Sequence, residues 1–398
     1  MKVLIVYRDF LLDGGLPKDA RSFVSEFPEE VDITVICKKK ESNKISFNGN
    51  IFTVDSIKDI MLKTFAQNYD YVIYIGFSSL YNVFLAKKIN VPYVILPFSQ
   101  INRFLDYDNP FFEHILPDVK NLENSEFRYP EYSRVKNGNR DVFSYLRRYK
   151  RGLYRKTLGY SFLKKAEAIG VFSKFEKLQI EDIYRGNNFA YFYYRFGLYH
   201  EDLTVGSDKF DSNDKLKLVF WSRADFYYKG IDRILRAIKC LIEEGSDIAF
   251  KLYIVGPDYN MGYKKTHNYL EEYSLGAHVE LVKTGGYTPG TLGLLASADL
   301  SVCLSRWDGP PRVIRESLTL GVPVLASKEA NFDLYLEKLN CGYLSASQEE
   351  LVDILRSLNL NDIRVKKSNA QKFGGYFEWK KTSEDFISQL KKLNQNSF

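Results

Sequence analysis

Two cations in the second half of the sequence have a spacing that suits the binding of a diphosphate. Arg223 and Lys229 lie six positions apart, between an apolar run and Gly230, where a predicted helix begins. Cations beside the free amide groups of a helix start favour a phosphate group. The alternative interpretation is that both are ordinary solvated loop cations.

Two carboxylates form a second candidate pair. Asp308 and Glu316 are eight positions apart, on either side of Pro310-Pro311. Proline at the first position of a helix loses no hydrogen bond, so a helix is predicted to begin there and to stop at Gly321. The start of this helix favours the binding of a phosphate group. The carboxylates of Asp308 and Glu316 can accept hydrogen bonds from sugar hydroxyls. The alternative is an ion pair between Arg312 and Glu316, with Asp308 as the helix cap.

The elements that must position these residues are short apolar runs that alternate with helical patterns. The runs are almost continuously apolar, which is typical of parallel strands buried on both faces. A polar stretch at 200–215 divides them into two series. The sequence therefore predicts an α/β protein with two Rossmann-like domains that face each other across an interdomain cleft. The runs are 2–7, 33–37, 71–75, 93–96, 168–172 and 190–194, then 216–221, 250–255, 279–282, 300–304 and 322–326.

Composition limits the class of protein. The chain has 398 residues, 45% hydrophobic and 27% charged, which indicates a globular protein of about two domains. The four cysteines are far apart and mostly lie in apolar runs, so we expect reduced core residues in a cytoplasmic protein. No apolar run approaches the length of a membrane span, and the apolar stretch at the start of the sequence is too short for a signal-peptide core.

The order of these motifs resembles the carboxyl half of retaining GT-B glycosyltransferases of family four. The stretches "SRADFYYKGID" and "WDGPPRVIRE" show the family's arginine with a lysine six positions later, and its acid-x7-Glu element. The resemblance implies that Arg223 and Lys229 bind the donor diphosphate, that Asp308 contacts the donor sugar and that Glu316 holds the ribose. Catalytic roles are thereby implied for Arg223, Lys229 and Asp308. The implied donor site comprises Gly15, Arg223, Lys229, Tyr287, Asp308, Gly309, Arg312 and Glu316.

The resemblance also implies how the chain is divided and what it does. Residues 1–200 would form the acceptor domain, 201–376 the domain for the nucleotide sugar, and 377–398 a helical segment that crosses back. The activity implied is transfer of a sugar, with retained anomeric configuration, from a nucleotide-diphosphate donor to a glycan or lipid-linked acceptor. The donor is a co-substrate, and no metal or other cofactor is expected. A histidine that many members place near the donor sugar has no counterpart in 96–100.

A basic and aromatic stretch at 143–165 suggests where the acceptor is met. It includes Arg147, Arg148, Arg151 and Arg155 among tyrosines, a pattern that suits docking on anionic lipid headgroups. A solvated helix and a nucleic-acid patch are the alternatives.

We expect a cytoplasmic enzyme of bacterial surface polysaccharide synthesis, at the inner face of the membrane and without a nucleic-acid partner. An epimerase or a phosphorylase is the enzymatic alternative, against which the acid-x7-Glu pattern favours transfer.

Overall fold

A computed structural model shows two compact units in the chain. Unit 1 comprises Met1–Phe172, Glu176–Gly197 and Trp379–Phe398, and unit 2 comprises Ser173–Phe175 and Leu198–Glu378. The residues that the structure describes are 1–11, 15–38, 49–54, 68–76, 82–83, 86, 91, 93–97, 155–184, 186–210, 215–306 and 308–395. Arg147, Arg148 and Arg151 lie outside them.

Unit 1 is built on a parallel sheet. In its described part, the strand order is β3-β2-β1-β4-β5-β6-β7, and every neighbouring pair is parallel. The strands are β1 (Lys2–Val6), β2 (Asp32–Lys38), β3 (Asn50–Val54), β4 (Tyr71–Ile75), β5 (Tyr93–Leu96), β6 (Ala168–Val171) and β7 (Tyr191–Tyr193). The helices described are α1 (Gly15–Ser25), α2 (Tyr160–Lys164), which continues a π-helical turn at Arg155–Gly159, and α3 (Lys174–Ile183).

The last helix of the chain, α11 (Trp379–Gln395), packs against α1 in the same unit. The Ser383 hydroxyl donates to the Phe23 carbonyl oxygen over 2.8 Å. The rings of Phe23 and Phe386 meet edge to face, with centroids 4.9 Å apart. Apolar side chains on one face of α11 thus complete the core of unit 1.

Unit 2 has a second parallel sheet, whose described strands run in the order β10-β9-β8-β11-β12-β13. They are β8 (Leu216–Trp221), β9 (Phe250–Gly256), β10 (Val279–Lys283), β11 (Leu300–Cys303), β12 (Val324–Ser327) and β13 (Gly342–Ser345). The helices are α4 (Ile231–Glu243), α5 (Gly262–Glu272), α6 (Pro289–Ala296), α7 (Arg312–Thr319), α8 (Asp333–Leu339), α9 (Gln348–Ser357) and α10 (Leu360–Lys372). In β8 and β11 nearly every side chain is buried, as expected of central strands with helices on both faces.

The predicted α/β fold with two domains is confirmed, with corrections at the level of elements. β3 and β13 were not predicted, because neither has the almost continuous apolar run on which the strand predictions were based. Helix α7 begins at Arg312, one residue later than predicted, because Pro311 has an extended ψ of 136° and serves as the N-cap. Gly321 does have the expected left-handed backbone, with φ of 76°.

The described residues contain neither a membrane-spanning helix nor a cluster of metal-ligand side chains. None of their helices is both long and apolar enough to cross a bilayer. Nor do they contain a group of three or more histidine, cysteine or acidic side chains that could hold a metal ion. Asp106-Tyr107-Asp108, which resembles a metal motif of another glycosyltransferase fold, lies outside the described ranges.

Candidate functional site

The candidate site lies where the strand order of unit 2 reverses. β8 and β11 are neighbours in the sheet, while the chain continues from β8 to β9 on one side and from β11 to β12 on the other. Ligands of open α/β sheets bind beyond the carboxyl ends of the strands at such a point. The loops concerned are 222–230 and 304–311.

Close backbone packing joins these two loops. Gly230, the N-cap of α4, has a left-handed φ of 79°, and a Cβ there would lie 2.1 Å from the Leu304 carbonyl oxygen. Only glycine fits this approach. The amide of Arg306 donates to the Tyr228 carbonyl oxygen over 3.0 Å. The residues on either side of these contacts are therefore held near one another.

Lys229 and Asp308 form an ion pair across the two loops. The Lys229 ammonium donates to Asp308 Oδ2, and the two side chains are only 18% and 20% exposed. Burial works against the charge of Lys229, but the attraction of Asp308 and the hydrogen bond to it outweigh burial, so the pKa of Lys229 is raised. Lys229 is therefore a charged donor, and its ammonium has three hydrogens with which to reach Asp308 and a further anion.

Arg223 lies between two aromatic rings at the start of the first loop. Its Cζ is 4.5 Å from the ring centroid of Tyr259 and 5.4 Å from that of Tyr228, whose ring also has Lys229 Nζ at 5.2 Å. The Asp225 carboxylate is 3.9 Å away, too far for a hydrogen bond, and the Arg223 side chain is 43% exposed. The guanidinium is thus oriented by aromatic contacts and open to a ligand.

A second group of contacts surrounds Glu316 on α7. Arg312 Nε donates to Glu316 Oε1 over 2.7 Å, which is the ion pair that the spacing predicted as an alternative. Among the described residues no side chain caps α7, so the expectation that Asp308 caps it is wrong; Asp308 pairs with Lys229 instead. Burial raises the pKa of Glu316, and the charge and hydrogen bond of Arg312 only partly oppose it.

Tyr287 forms the edge of this group. Its ring stacks on Trp221 at 5.6 Å between centroids, and the guanidinium of Arg312 lies 5.2 Å from the ring centroid. Burial, with the nearby charge of Glu316, raises the pKa of Tyr287 to about 12, so the hydroxyl is protonated at neutral pH. It donates to the Asp202 carbonyl oxygen over 2.9 Å. These contacts fix the ring of Tyr287, and the residue remains 48% exposed.

Several residues that support the site were not found from the sequence. Arg306 is fully buried, pairs with Asp232 in bidentate fashion at 2.6 and 2.7 Å, and lies 3.9 Å over the ring of Tyr227. Asn331 donates to the Asp308 carbonyl oxygen over 2.7 Å, and its amide oxygen accepts from the Ser173 hydroxyl. Each contact joins residues far apart in the chain, for which spacing gives no signal.

The other described residues of the sequence-based site prediction are Gly309, Gly15 and Arg155, and they lie in different parts of the fold. Gly309 lies in the loop beside Asp308, and Gly15 is the first residue of α1 in unit 1. Arg155 begins the π-helical turn before α2. The structure brings Lys229, Asp308 and Arg223 together at one loop junction, and it groups Tyr287, Arg312 and Glu316 at the start of α7.

Comparisons with known proteins show what this chain is similar to in sequence and fold. Residues 206–374 match the family model of glycosyl transferases group 1. The lipopolysaccharide glucosyltransferase WaaG of Escherichia coli (strain K12) is 29% identical over 136 residues, which cover 33% of this chain and 34% of that relative. The match therefore spans about a third of the relative's length.

Solved structures resemble the whole chain. A sucrose-phosphate synthase from Thermosynechococcus elongatus has a TM-score of 0.60 at 15% identity, with both chains covered fully. HepE of Anabaena in complex with UDP has a TM-score of 0.60 at 15% identity, covering 98% of this chain and 100% of that one, and was also solved with UDP-glucose. The predicted GT-B resemblance is confirmed in fold and in family model.

Proposed function

We propose that this protein transfers a sugar from a nucleoside diphosphate to an acceptor. Residues 206–374 match the family model of glycosyl transferases group 1, which supports this activity. The observation that supports it best is the Lys229–Asp308 pair at the junction of the loops after β8 and β11. A cation that can bind a phosphate is there in contact with a carboxylate that can accept from sugar hydroxyls. A donor whose phosphate and sugar are adjacent satisfies both groups at once.

The proposed chemistry follows from where charge develops. As the bond between the sugar's anomeric carbon and the diphosphate oxygen breaks, negative charge grows on the diphosphate, where Arg223 and Lys229 stabilise it. The acceptor oxygen forms the new bond to the same carbon, and its proton passes to the departing phosphate oxygen. Attack on the face that the diphosphate leaves retains the configuration. No side chain acts as nucleophile in this scheme.

Glu316 and Tyr287 are proposed to bind the nucleoside. The buried Glu316 carboxylate accepts from ribose hydroxyls, and the base stacks near the exposed ring of Tyr287. UDP and UDP-glucose are the first candidates, because HepE, which shares the fold, was solved with both. Thermal stabilisation by a panel of nucleoside-diphosphate sugars tests this, since a bound donor raises the melting temperature by mass action.

Substitution of the two cations tests the catalytic assignment. Arg223→Ala and Lys229→Ala are each expected to lower transfer by at least about a hundredfold, as loss of a preorganised group does at other charge-stabilising sites. The exposed Arg364 on α10 supplies the matched control Arg364→Ala, which should keep full activity. Near-normal turnover in both site variants, with normal circular dichroism, would refute the assignment. Phosphate-dependent cleavage of a glycan would instead indicate a phosphorylase.

The acceptor is proposed to be a glycan or a lipid-linked glycan at an anionic membrane surface, in bacterial surface polysaccharide synthesis. The sequence similarity to a lipopolysaccharide glucosyltransferase supports a glycan acceptor. The basic stretch at 143–165 supports binding to an anionic membrane surface. Flotation with liposomes containing anionic lipid is expected, with loss at high salt. Binding of RNA in preference to such liposomes would contradict it.

A further inference from the structure

Residues 198–210 lead into unit 2 and are called the entry segment. They pack against β9 and α6 of that unit. The Gly206 amide donates to the Pro289 carbonyl oxygen over 2.7 Å, at the start of α6. The ring of Phe210 stacks on Tyr253 of β9 with centroids 4.1 Å apart. A Cβ at Gly293 would lie 2.6 Å from the Gly206 carbonyl oxygen. The entry segment is thus held in one position relative to α6.

Asp202 of the entry segment contacts two residues of the candidate site with different atoms. Its Oδ2 accepts from an Arg312 terminal nitrogen over 3.1 Å, and its carbonyl oxygen accepts from the Tyr287 hydroxyl over 2.9 Å. Arg312 simultaneously donates through Nε to Glu316 at 2.7 Å. The planar guanidinium of Arg312 therefore bridges the carboxylates of Glu316 and Asp202. The contact with Asp202 fixes the plane of the guanidinium.

We infer that Asp202 is a positioning residue of the donor site: it holds Arg312 and Tyr287 in the orientations with which Glu316 and the tyrosine ring meet the nucleoside. The inference depends on the proposed function, because it assigns Glu316 to the ribose. Asp202 itself reaches the nucleoside only through these two neighbours. Its carboxylate sets the direction of Arg312 and thereby of the Glu316 carboxylate, and its carbonyl sets the tilt of the Tyr287 ring.

The side chains of Asp202 and Arg312 are 32% and 33% exposed, which bounds the expected effect. Water screens such a pair, so its loss costs little folding stability. The pair contributes to binding by restricting the orientation of Arg312. Its removal should weaken the affinity for UDP by about twofold to fivefold. The melting temperature without ligand should be nearly unchanged.

The experiment compares Asp202→Asn with Glu201→Gln in the full chain. Glu201 is the neighbouring exposed carboxylate in the same turn, so its variant matches the change in charge without touching Arg312. Calorimetry with UDP, or with whichever nucleoside diphosphate stabilises the wild type, is expected to show the loss of affinity for Asp202→Asn alone. Equal affinities in the two variants would overturn the inference.

A double-mutant cycle separates positioning from a structural defect. In the background of Arg312→Ala, Asp202→Asn should have no further effect on the affinity, because the group it acts through is gone. An undiminished effect in that background would overturn the assignment to Arg312. If the wild type binds no nucleoside diphosphate at all, the proposed function fails together with this inference; if it binds and Asp202→Asn does not differ, this inference alone fails.

Tyr287→Phe tests the hydroxyl that donates to the Asp202 carbonyl oxygen and that also lies beside Glu316 and Arg312. It removes the hydroxyl and leaves the ring that stacks on Trp221. We expect an affinity loss of about threefold, the cost of one neutral hydrogen bond of moderate strength. Unchanged affinity would overturn the part of the inference that concerns the carbonyl oxygen.

Discussion

At the scale of single residues, the binding role proposed for Glu316 conflicts with stability. Only 4% of its side chain is exposed. Burial is the largest influence on its pKa and raises it, and the opposing charge and hydrogen bond of Arg312 do not fully compensate. A carboxyl group whose pKa is higher in the folded than in the unfolded chain destabilises the fold once it is ionised. The site therefore keeps a carboxylate at a cost in stability.

The first prediction concerns this cost. The free energy of unfolding falls as the pH rises from the unfolded pKa of Glu316 through its higher folded pKa. Glu316→Gln lacks the ionisation, so its melting temperature should exceed that of the wild type at about pH 8, and the difference should shrink towards about pH 4. Its affinity for UDP should fall. Thermal melts across this range with Glu201→Gln as the control test it; a difference independent of pH would contradict it.

The second prediction concerns the orientation of Arg223. The Cζ of Arg223 lies 4.5 Å from the ring centroid of Tyr259, so the ring holds the Arg223 guanidinium by a cation–π contact. Tyr259 is 44% exposed. Tyr259→Ala should weaken UDP binding by about twofold to fivefold, the range for such contacts near the surface. Tyr259→Phe keeps the ring and should bind as the wild type does. A loss in both variants would point to the hydroxyl and contradict the role of the ring.

At the scale of elements, the loop that holds Arg223 is itself held by the loop after β9. The amide of Ala224 donates to the Pro257 carbonyl oxygen over 2.8 Å, and Ala224 and Asp258 form an isolated parallel bridge. Gly262 begins α5 so close to this loop that a Cβ there would lie 1.5 Å from the Ala224 carbonyl oxygen. The position of the loop that holds Arg223 thus depends on a glycine in the next strand–helix connection.

The third prediction follows from this approach. Gly262→Ala forces the two backbones apart and should lower the free energy of unfolding by about 2–4 kcal/mol, since the colliding atom is backbone. Gly276→Ala is the matched control, because a Cβ there meets nothing within 4 Å; its stability should be within about 0.5 kcal/mol of the wild type. Urea unfolding measures both. Equal stability of the two variants would show that the loops separate freely.

The sequence predicted most of the elements and only part of the site. Buried strands such as β8 and β11 were predicted because both of their faces are apolar, whereas β13 has no such run. The Arg312–Glu316 pair was predicted because helix geometry makes residues four apart neighbours. The contacts of Asp202 with Arg312 and of Asn331 with Asp308 were not, since they depend on how loops from different strands pack.

At the scale of the whole molecule, the residues proposed for the nucleoside and diphosphate are concentrated in one unit. Except for Gly15, every residue of the predicted donor site belongs to unit 2, which is also where the family model matches. Unit 1 has a parallel sheet as well. The proposed nucleotide site therefore lies within unit 2, and a probe that distinguishes the units can test it.

Hydrogen exchange in the full chain supplies that probe. Added UDP should slow amide exchange most in peptides that cover 222–230, 304–311 and the first turn of α7, because the proposed contacts lie there. Peptides of β2 in unit 1 should change far less, since that strand has none of the proposed contacts. Inorganic phosphate alone serves as the control and should leave the peptide around Tyr287 unaffected. Protection confined to unit 1, or spread evenly over both units, would contradict a nucleoside site in unit 2.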